Sequence, residues 1–188
     1  MRCAKRRTAP SWDHPMLSDK QRQLHLITRS SSPTGPNEQR ANEIGQLAKA
    51  SVELTHSKGQ IMLIVFSGLP GTGKTTIAKG LVDTIGALYL RIDTIEQAIR
   101  NSGALAQDVG RSGYMVANEL ALSNLDLGRT VIVDCVNPVI ESRLAWSEIA
   151  SRAGVRLMNI EVICSDKNEH QRRVETRLGD ISGLTPPT

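Results

Sequence analysis

Apolar residues in this chain fall into two patterns that alternate along its length. Ile61-Met62-Leu63-Ile64-Val65-Phe66 is an unbroken apolar run with β-branched members, too short for a helix of its own. It predicts a strand buried on both faces, the kind found in parallel sheets. After a glycine-rich stretch, Ile77, Ala78, Leu81, Val82 and Ile85 recur at helical spacing. Three more strand-like runs, 87–92, 130–133 and 156–164, are separated by segments long enough for crossover helices. Those helices are expected at about 94–101, 111–127, 139–153 and 166–177. Thr94 and Asp166 are N-cap residue types, and Gly103, Gly128, Gly154 and Gly179 stand just past the expected ends. The alternation predicts an α/β fold with a mostly parallel sheet.

The first 60 residues follow no such rhythm. Residues 1–36 hold Arg2, Lys5, Arg6 and Arg7, then Pro10, Pro15, Pro33, Pro36 and a run of three serines. With few apolar side chains to offset ordering entropy, they are expected to be mostly disordered. Ile44, Leu47, Ala48, Ser51 and Val52 then trace an amphipathic stripe, which predicts a helix over about 38–56 that ends near Gly59. The division expected is a basic extension, 1–60, followed by a compact unit, 61–188. On that reading, deleting residues 1–36 leaves the melting temperature unchanged.

Charge sharpens this division. The net charge of +4 and pI near 9.2 invite a nucleic-acid reading. Residues 1–60, however, carry ten Lys/Arg against five Asp/Glu, and the remainder thirteen against fourteen. Aromatics are only 3% of the chain, which leaves little to stack bases on. Nucleic acid is therefore not an expected partner. The longest apolar run is far below the about 18 residues of a membrane span, so no membrane association is expected either. Three cysteines without paired spacing fit a reducing, cytoplasmic setting.

The chemistry lies in Gly68-Leu69-Pro70-Gly71-Thr72-Gly73-Lys74-Thr75, a full match to the phosphate-loop pattern between a strand and a helix. Glycines let the backbone wrap phosphates, with amides pointing inward and the helix dipole adding positive potential. Lys74 would reach the β- and γ-phosphates of ATP, and the Thr75 hydroxyl would sit on Mg²⁺. Ligands of open α/β sheets bind at the carboxyl ends of strands, where two acids stand, Asp93 and Asp134. Asp93 could instead cap the helix that follows. For Asp134 capping is less natural, because Pro138 and Val139 mark the helix start.

These residues resemble the small P-loop kinases related to zeta toxins, chloramphenicol phosphotransferase, polynucleotide kinase and adenylylsulfate kinase. The resemblance runs from Ile61 to about Gly183. It rests on Gly68 to Thr76, Arg91-Ile92-Asp93, Val133-Asp134-Cys135-Val136-Asn137-Pro138 and the Arg-rich stretch Glu169 to Arg177. It implies a three-layer P-loop NTPase fold in which residues 68–76, Thr76 included, bind the nucleotide. Asp93 would accept the proton of the acceptor hydroxyl, and Arg91 and Arg100 would hold an anionic group of the acceptor. Asn137 would face the acceptor pocket, and Asp134 would orient Mg²⁺ through a water. Arg172, Arg173 and Arg177 would close over the triphosphate as lid arginines. Without that resemblance, the arginines read equally as a solvated helix face.

Such kinases continue into a further strand and helix, which this chain lacks after residue 179, so the C-terminal edge strand is expected to be missing. The function expected is transfer of the ATP γ-phosphate to a hydroxyl of a small-molecule or nucleotide-like acceptor. The alternatives are a P-loop ATPase and a truncated nucleotide-binding protein without turnover.

Overall fold

The structure is a computed structural model that describes residues 21–28, 60–104, 108–176 and 181. Five strands, β1 (Gln21–Thr28), β2 (Met62–Ser67), β3 (Leu88–Arg91), β4 (Val131–Asp134) and β5 (Arg156–Cys164), form one sheet in the order β1-β5-β2-β4-β3. Every pairing is parallel. Among the described residues there are five helices: α1 (Lys74–Ile85), α2 (Ile92–Ser102), α3 (Ser112–Asp126), α4 (Ile140–Arg152) and α5 (Lys167–Glu175).

The central strand explains the unbroken apolar run. Met62, Ile64 and Phe66 of β2 pack on one side with Ile77, Ala78 and Leu81 of α1. Leu63 and Val65 pack on the other with Ala117, Ala121 and Leu125 of α3 and Trp146, Ile149 and Ala150 of α4. A strand with helices on both faces has no polar side, so alternation disappears from its sequence. Gly113, Ala117, Ala121 and Leu125 form the buried stripe of α3, and its small side chains let that helix approach its neighbours closely. At Gly113 the space a Cβ would need is filled by the Glu96 side chain of α2.

Glycines end the first two helices. Gly86 and Gly103 take left-handed φ values of 63° and 65°, which lets their amides bond back to Val82 and Arg100. Asp166 caps α5 as expected, its side chain accepting from the amides of Asn168 and Glu169. Thr94 is not a cap: α2 begins two residues earlier, with Arg91 at the N-cap and no side-chain cap bond. No helix among the described residues is long and apolar enough to cross a membrane.

The largest departure from expectation is at the sheet edge. Residues 21–28, placed by composition in a disordered arm, pair with β5 along its length, from Gln21 opposite Leu157 to Thr28 opposite Cys164. The edge position expected to be vacant for want of a C-terminal strand is therefore filled from the N-terminal side. The cause is non-local. A nine-residue β5 has a row of backbone donors and acceptors on its outer side that require partners. Pairing with that edge outweighs the weak local preference of a segment whose apolar residues are only Leu24, Leu26 and Ile27. The helix expected over 38–56 lies outside the described residues, as do the rest of 1–36 and Gly179.

This architecture reverses the deletion expectation. Removing residues 1–28 exposes the β5 edge, and a thermal unfolding scan is expected to show a melting temperature lower by about 5 °C or more. An unchanged melting temperature would mean that β1 contributes nothing to the folded state.

Candidate active site

The loop between β2 and α1 owes its shape to two contacts that exclude side chains. Gly68 has φ 128°, its amide donates to the Val136 carbonyl at 3.3 Å, and a Cβ would overlap the Val162 carbonyl oxygen of β5. Gly71 has φ 79°, and a Cβ there would come within 2.8 Å of Val174 Cγ2 on α5. Gly73, at φ 94°, precedes α1 with no side-chain cap, so the first amides of that helix are left for an anion. Thr72 is buried and donates to the Leu69 carbonyl at 2.9 Å. The Lys74 ammonium, 8% exposed, donates to the same carbonyl at 2.9 Å. The Leu69 side chain points outward, and Thr76 is exposed on the first turn of α1.

Beside this loop lies Asp134, 3% exposed at the end of β4. Its Oδ2 accepts from Thr75 Oγ1 at 2.7 Å and from the Tyr89 hydroxyl at 2.8 Å, and Arg91 Nε stands 3.9 Å away. The fold thus brings together Thr75 and Asp134, the two groups expected to serve a metal. They fit Mg²⁺, which keeps several waters and takes only one or two protein oxygens alongside substrate phosphates. No group of three or more His, Cys, Asp or Glu among the described residues forms a closed metal cage. Tyr89 was not legible as a site residue. It sits in an apolar strand, and only the pairing of β3 with β4, Arg91 opposite Asp134, carries its hydroxyl to the carboxylate.

Asp93 lies in the first turn of α2, not at the end of β3, because the helix begins at Ile92. It does not cap the helix, and its half-exposed carboxylate pairs with Arg91 at 3.5 Å. Arg91 therefore spans both acids of the site, Asp93 and Asp134. Arg100 is taken by Glu96 at 3.5 Å, one turn earlier on the same helix. Burial raises the Glu96 carboxyl above its ordinary value; Arg100 opposes that rise, and Asp93 and Asp108 add to it. Both arginines expected to hold an acceptor anion are thus engaged within the protein.

Asn137 is 2% exposed and adopts φ 53°, a left-handed conformation that non-glycine residues seldom take. Three groups hold it there. Its amide donates to the Tyr114 hydroxyl at 3.0 Å, its Oδ1 accepts from Ser142 at 2.7 Å, and its carbonyl accepts from Arg143 at 3.1 Å. These bonds give Asn137 a part in holding the turn between β4 and α4. Burial pushes the Tyr114 phenol and the Cys135 thiol well above their ordinary values. Neither ionises near neutrality, and the Cys135 thiol donates to the Phe66 carbonyl at 3.3 Å.

The Arg-rich helix α5 is seated on the phosphate loop. His170 Nε2 lies 2.7 Å from the Pro70 carbonyl, and Val174, one turn on, rests against Gly71. Arg172 and Arg173 both reach Glu169, each through Nε at 2.8 Å. Their bonds hold the Glu169 carboxyl down at about 2, Arg172 contributing most. Helical geometry separates the two arginines: Arg173 flanks the His170/Val174 face, whereas Arg172 lies on the far side and is 57% exposed. Arg177 lies outside the described residues.

A family model described as an AAA domain matches residues 63–182. Among curated proteins, uncharacterized proteins of Mycobacterium tuberculosis and Mycobacterium bovis are 30% identical over 112 residues. That match covers 53% of this chain and 22% of theirs, so the chain spans under a quarter of the length of those relatives. Among solved structures, a putative kinase from Chloroflexus aurantiacus matches with TM-score 0.55 and 21% identity, over 64% of this chain and 68% of that one. The APS kinase CysC of Mycobacterium tuberculosis, solved with AMPPNP and APS, matches with TM-score 0.50 and 22% identity, over 63% of this chain and 71% of that one. The fold is that of the small P-loop kinases.

Two outcomes follow from this geometry. Gly68→Ala is expected to lower stability by about 1–3 kcal/mol, read by denaturant unfolding, and to abolish nucleotide binding, because loop and β5 must separate. Glu169 has a lowered value in the folded chain, so its ion pairs stabilise above its ordinary 4.5 and are lost as pH falls towards about 2. Glu169→Gln should therefore flatten the acid side of the melting-temperature profile over that range. The effect is small, since exposed pairs are screened.

Proposed function

The chain belongs to the AAA_33 family of AAA domains, and on that premise we propose that it is an ATP-dependent kinase of small hydroxyl-bearing molecules. The acceptor class expected is a small molecule or nucleotide-like compound, and the setting proposed is the cytoplasm. The observation that carries this reading is the Arg91 bridge: one guanidinium holds the acid beside Thr75, Asp134, and the acid on the acceptor side, Asp93, at 3.9 and 3.5 Å. A phosphoryl group leaving the loop would meet its acceptor between them.

In this reading the amides at the start of α1, the loop backbone and Lys74 bind the β- and γ-phosphates of ATP. Thr75 and Asp134 hold Mg²⁺, which neutralises phosphate charge when bound. Asp93 accepts the hydrogen bond of the acceptor hydroxyl and takes its proton as the new oxygen–phosphorus bond forms and the bond from the γ-phosphorus to the bridging oxygen breaks, leaving ADP in the loop. Tyr89 fixes the Asp134 carboxylate, so that its orientation need not be found during the reaction. Arg173, beside the loop-facing side of α5, is the lid arginine best placed to exchange Glu169 for the transferred phosphoryl oxygens. Arg172 keeps the Glu169 pair, and Arg100 keeps Glu96. The catalytic unit is 61–188, with β1 completing its sheet.

The test pairs two variants. Asp93→Asn is expected to reduce transfer by about a hundredfold or more while ATP affinity by calorimetry stays within about twofold. Lys74→Ala is expected to weaken ATP binding at least about tenfold. Full transfer activity in Asp93→Asn would remove it as the base. Hydrolysis of ATP without a phosphorylated product across a metabolite panel would assign an ATPase, and binding without either would assign a nucleotide-binding protein.

A further inference from the structure

We infer that the acceptor is an uncharged or amino-bearing polyol, carrying no phosphate, sulfate or carboxylate beside its reacting hydroxyl. This rests on the kinase reading and names the substrate class of the same site.

The inference starts from the two arginines on the acceptor side. An anionic acceptor needs a cation whose charge is not already committed. Arg91 is 6% exposed and lies between Asp93 and Asp134. Drawing it towards an incoming anion would strip the counter-charge from a buried carboxylate, a change that proteins resist strongly. Arg100 is more exposed, at 41%, but its partner Glu96 is not, at 21%. Glu96 also has little room to follow, since its side chain fills the space against Gly113. Withdrawing Arg100 would leave Glu96 facing Asp93 and Asp108, whose fields already bear on it. The anion would then meet Glu96 relieved of its cation, with the charges of Asp93 and Asp108 bearing on the same place.

The same groups suit a different ligand. Carboxylates accept hydrogen bonds from neighbouring hydroxyls, and they attract an ammonium group. Hydroxyl and amino donors on a compact carbon skeleton match this lining, and an anion does not.

The test uses the full chain loaded with Mg²⁺ and AMPPNP, so that the phosphate loop is filled, and titrates sodium sulfate while the Arg91 and Arg100 side-chain NH resonances are followed by NMR. No saturable shift is expected in the natural chain, and a saturable shift is expected at Arg100 in Glu96→Gln. A saturable shift at Arg91 or Arg100 in the natural chain, or none at Arg100 in Glu96→Gln, would overturn the inference. Transfer from ATP is then compared for glycerol against glycerol phosphate, glucosamine against its phosphate, and adenosine against AMP. The uncharged or amino-bearing member is expected to be favoured at least about tenfold in kcat/KM, and preference for the phosphorylated member would refute it. AMPPNP binding without transfer to any acceptor would defeat the kinase reading alone, because the sulfate result is independent of turnover.

Discussion

The arrangement depends first on a buried negative charge. Asp134 is almost wholly withdrawn from water, and a carboxylate in that position must be met by donors or it destabilises the fold. The donors come from two elements, Thr75 from α1 and Tyr89 from β3, with Arg91 nearby on the same strand. Satisfying one oxygen therefore fixes the relative positions of the phosphate-loop helix and the strand that leads to Asp93. The distance between the phosphate-loop motif and Asp93 follows from this contact.

A second constraint is the absence of side chains at Gly68 and Gly71. The first lets the loop lie against the Val162 carbonyl of β5, and the second lets α5 lie against the loop. Because β5 runs into α5 through Ser165 and Asp166 alone, the strand that supports the loop from below also delivers the helix that covers it. The edge of that strand is in turn paired by β1. Loop, α5 and β1 are thus connected through one element, and the stability of β5 bears on all three.

Charge is distributed in matched groups. Arg91 serves two acids, Arg100 is paired with Glu96, and Arg172 and Arg173 share Glu169. Spacing along a helix places such partners within reach three or four residues apart, and this held for Glu96 with Arg100 and for Glu169 with Arg172 and Arg173. Read alone, the arginines looked available to ligands. Only with their partners in place does it emerge that Arg91 and Arg100 already pair with carboxylates of the protein, and that Arg172 and Arg173 occupy different sides of α5.

Local rules were enough for much of this molecule. The phosphate loop, the strand before it, the helix after it and the limits of β5 were legible because each depends on residues adjacent in the chain: an apolar run, glycines with positive φ, a lysine and a threonine at fixed spacing. Asp134 was legible because it ends a buried strand. What tertiary structure decided were the pairings between distant segments. The seating of β1 on the open edge of β5 overrode a composition that read as disorder, since unpaired backbone groups on an edge favour a partner regardless of local propensity. The reach of Tyr89 to Asp134 depends on strand register, and the start of α2 at Ile92 turns Asp93 from a strand terminus into a first-turn residue. The first two result from hydrogen-bond satisfaction between parts of the chain tens of residues apart, which no local pattern encodes.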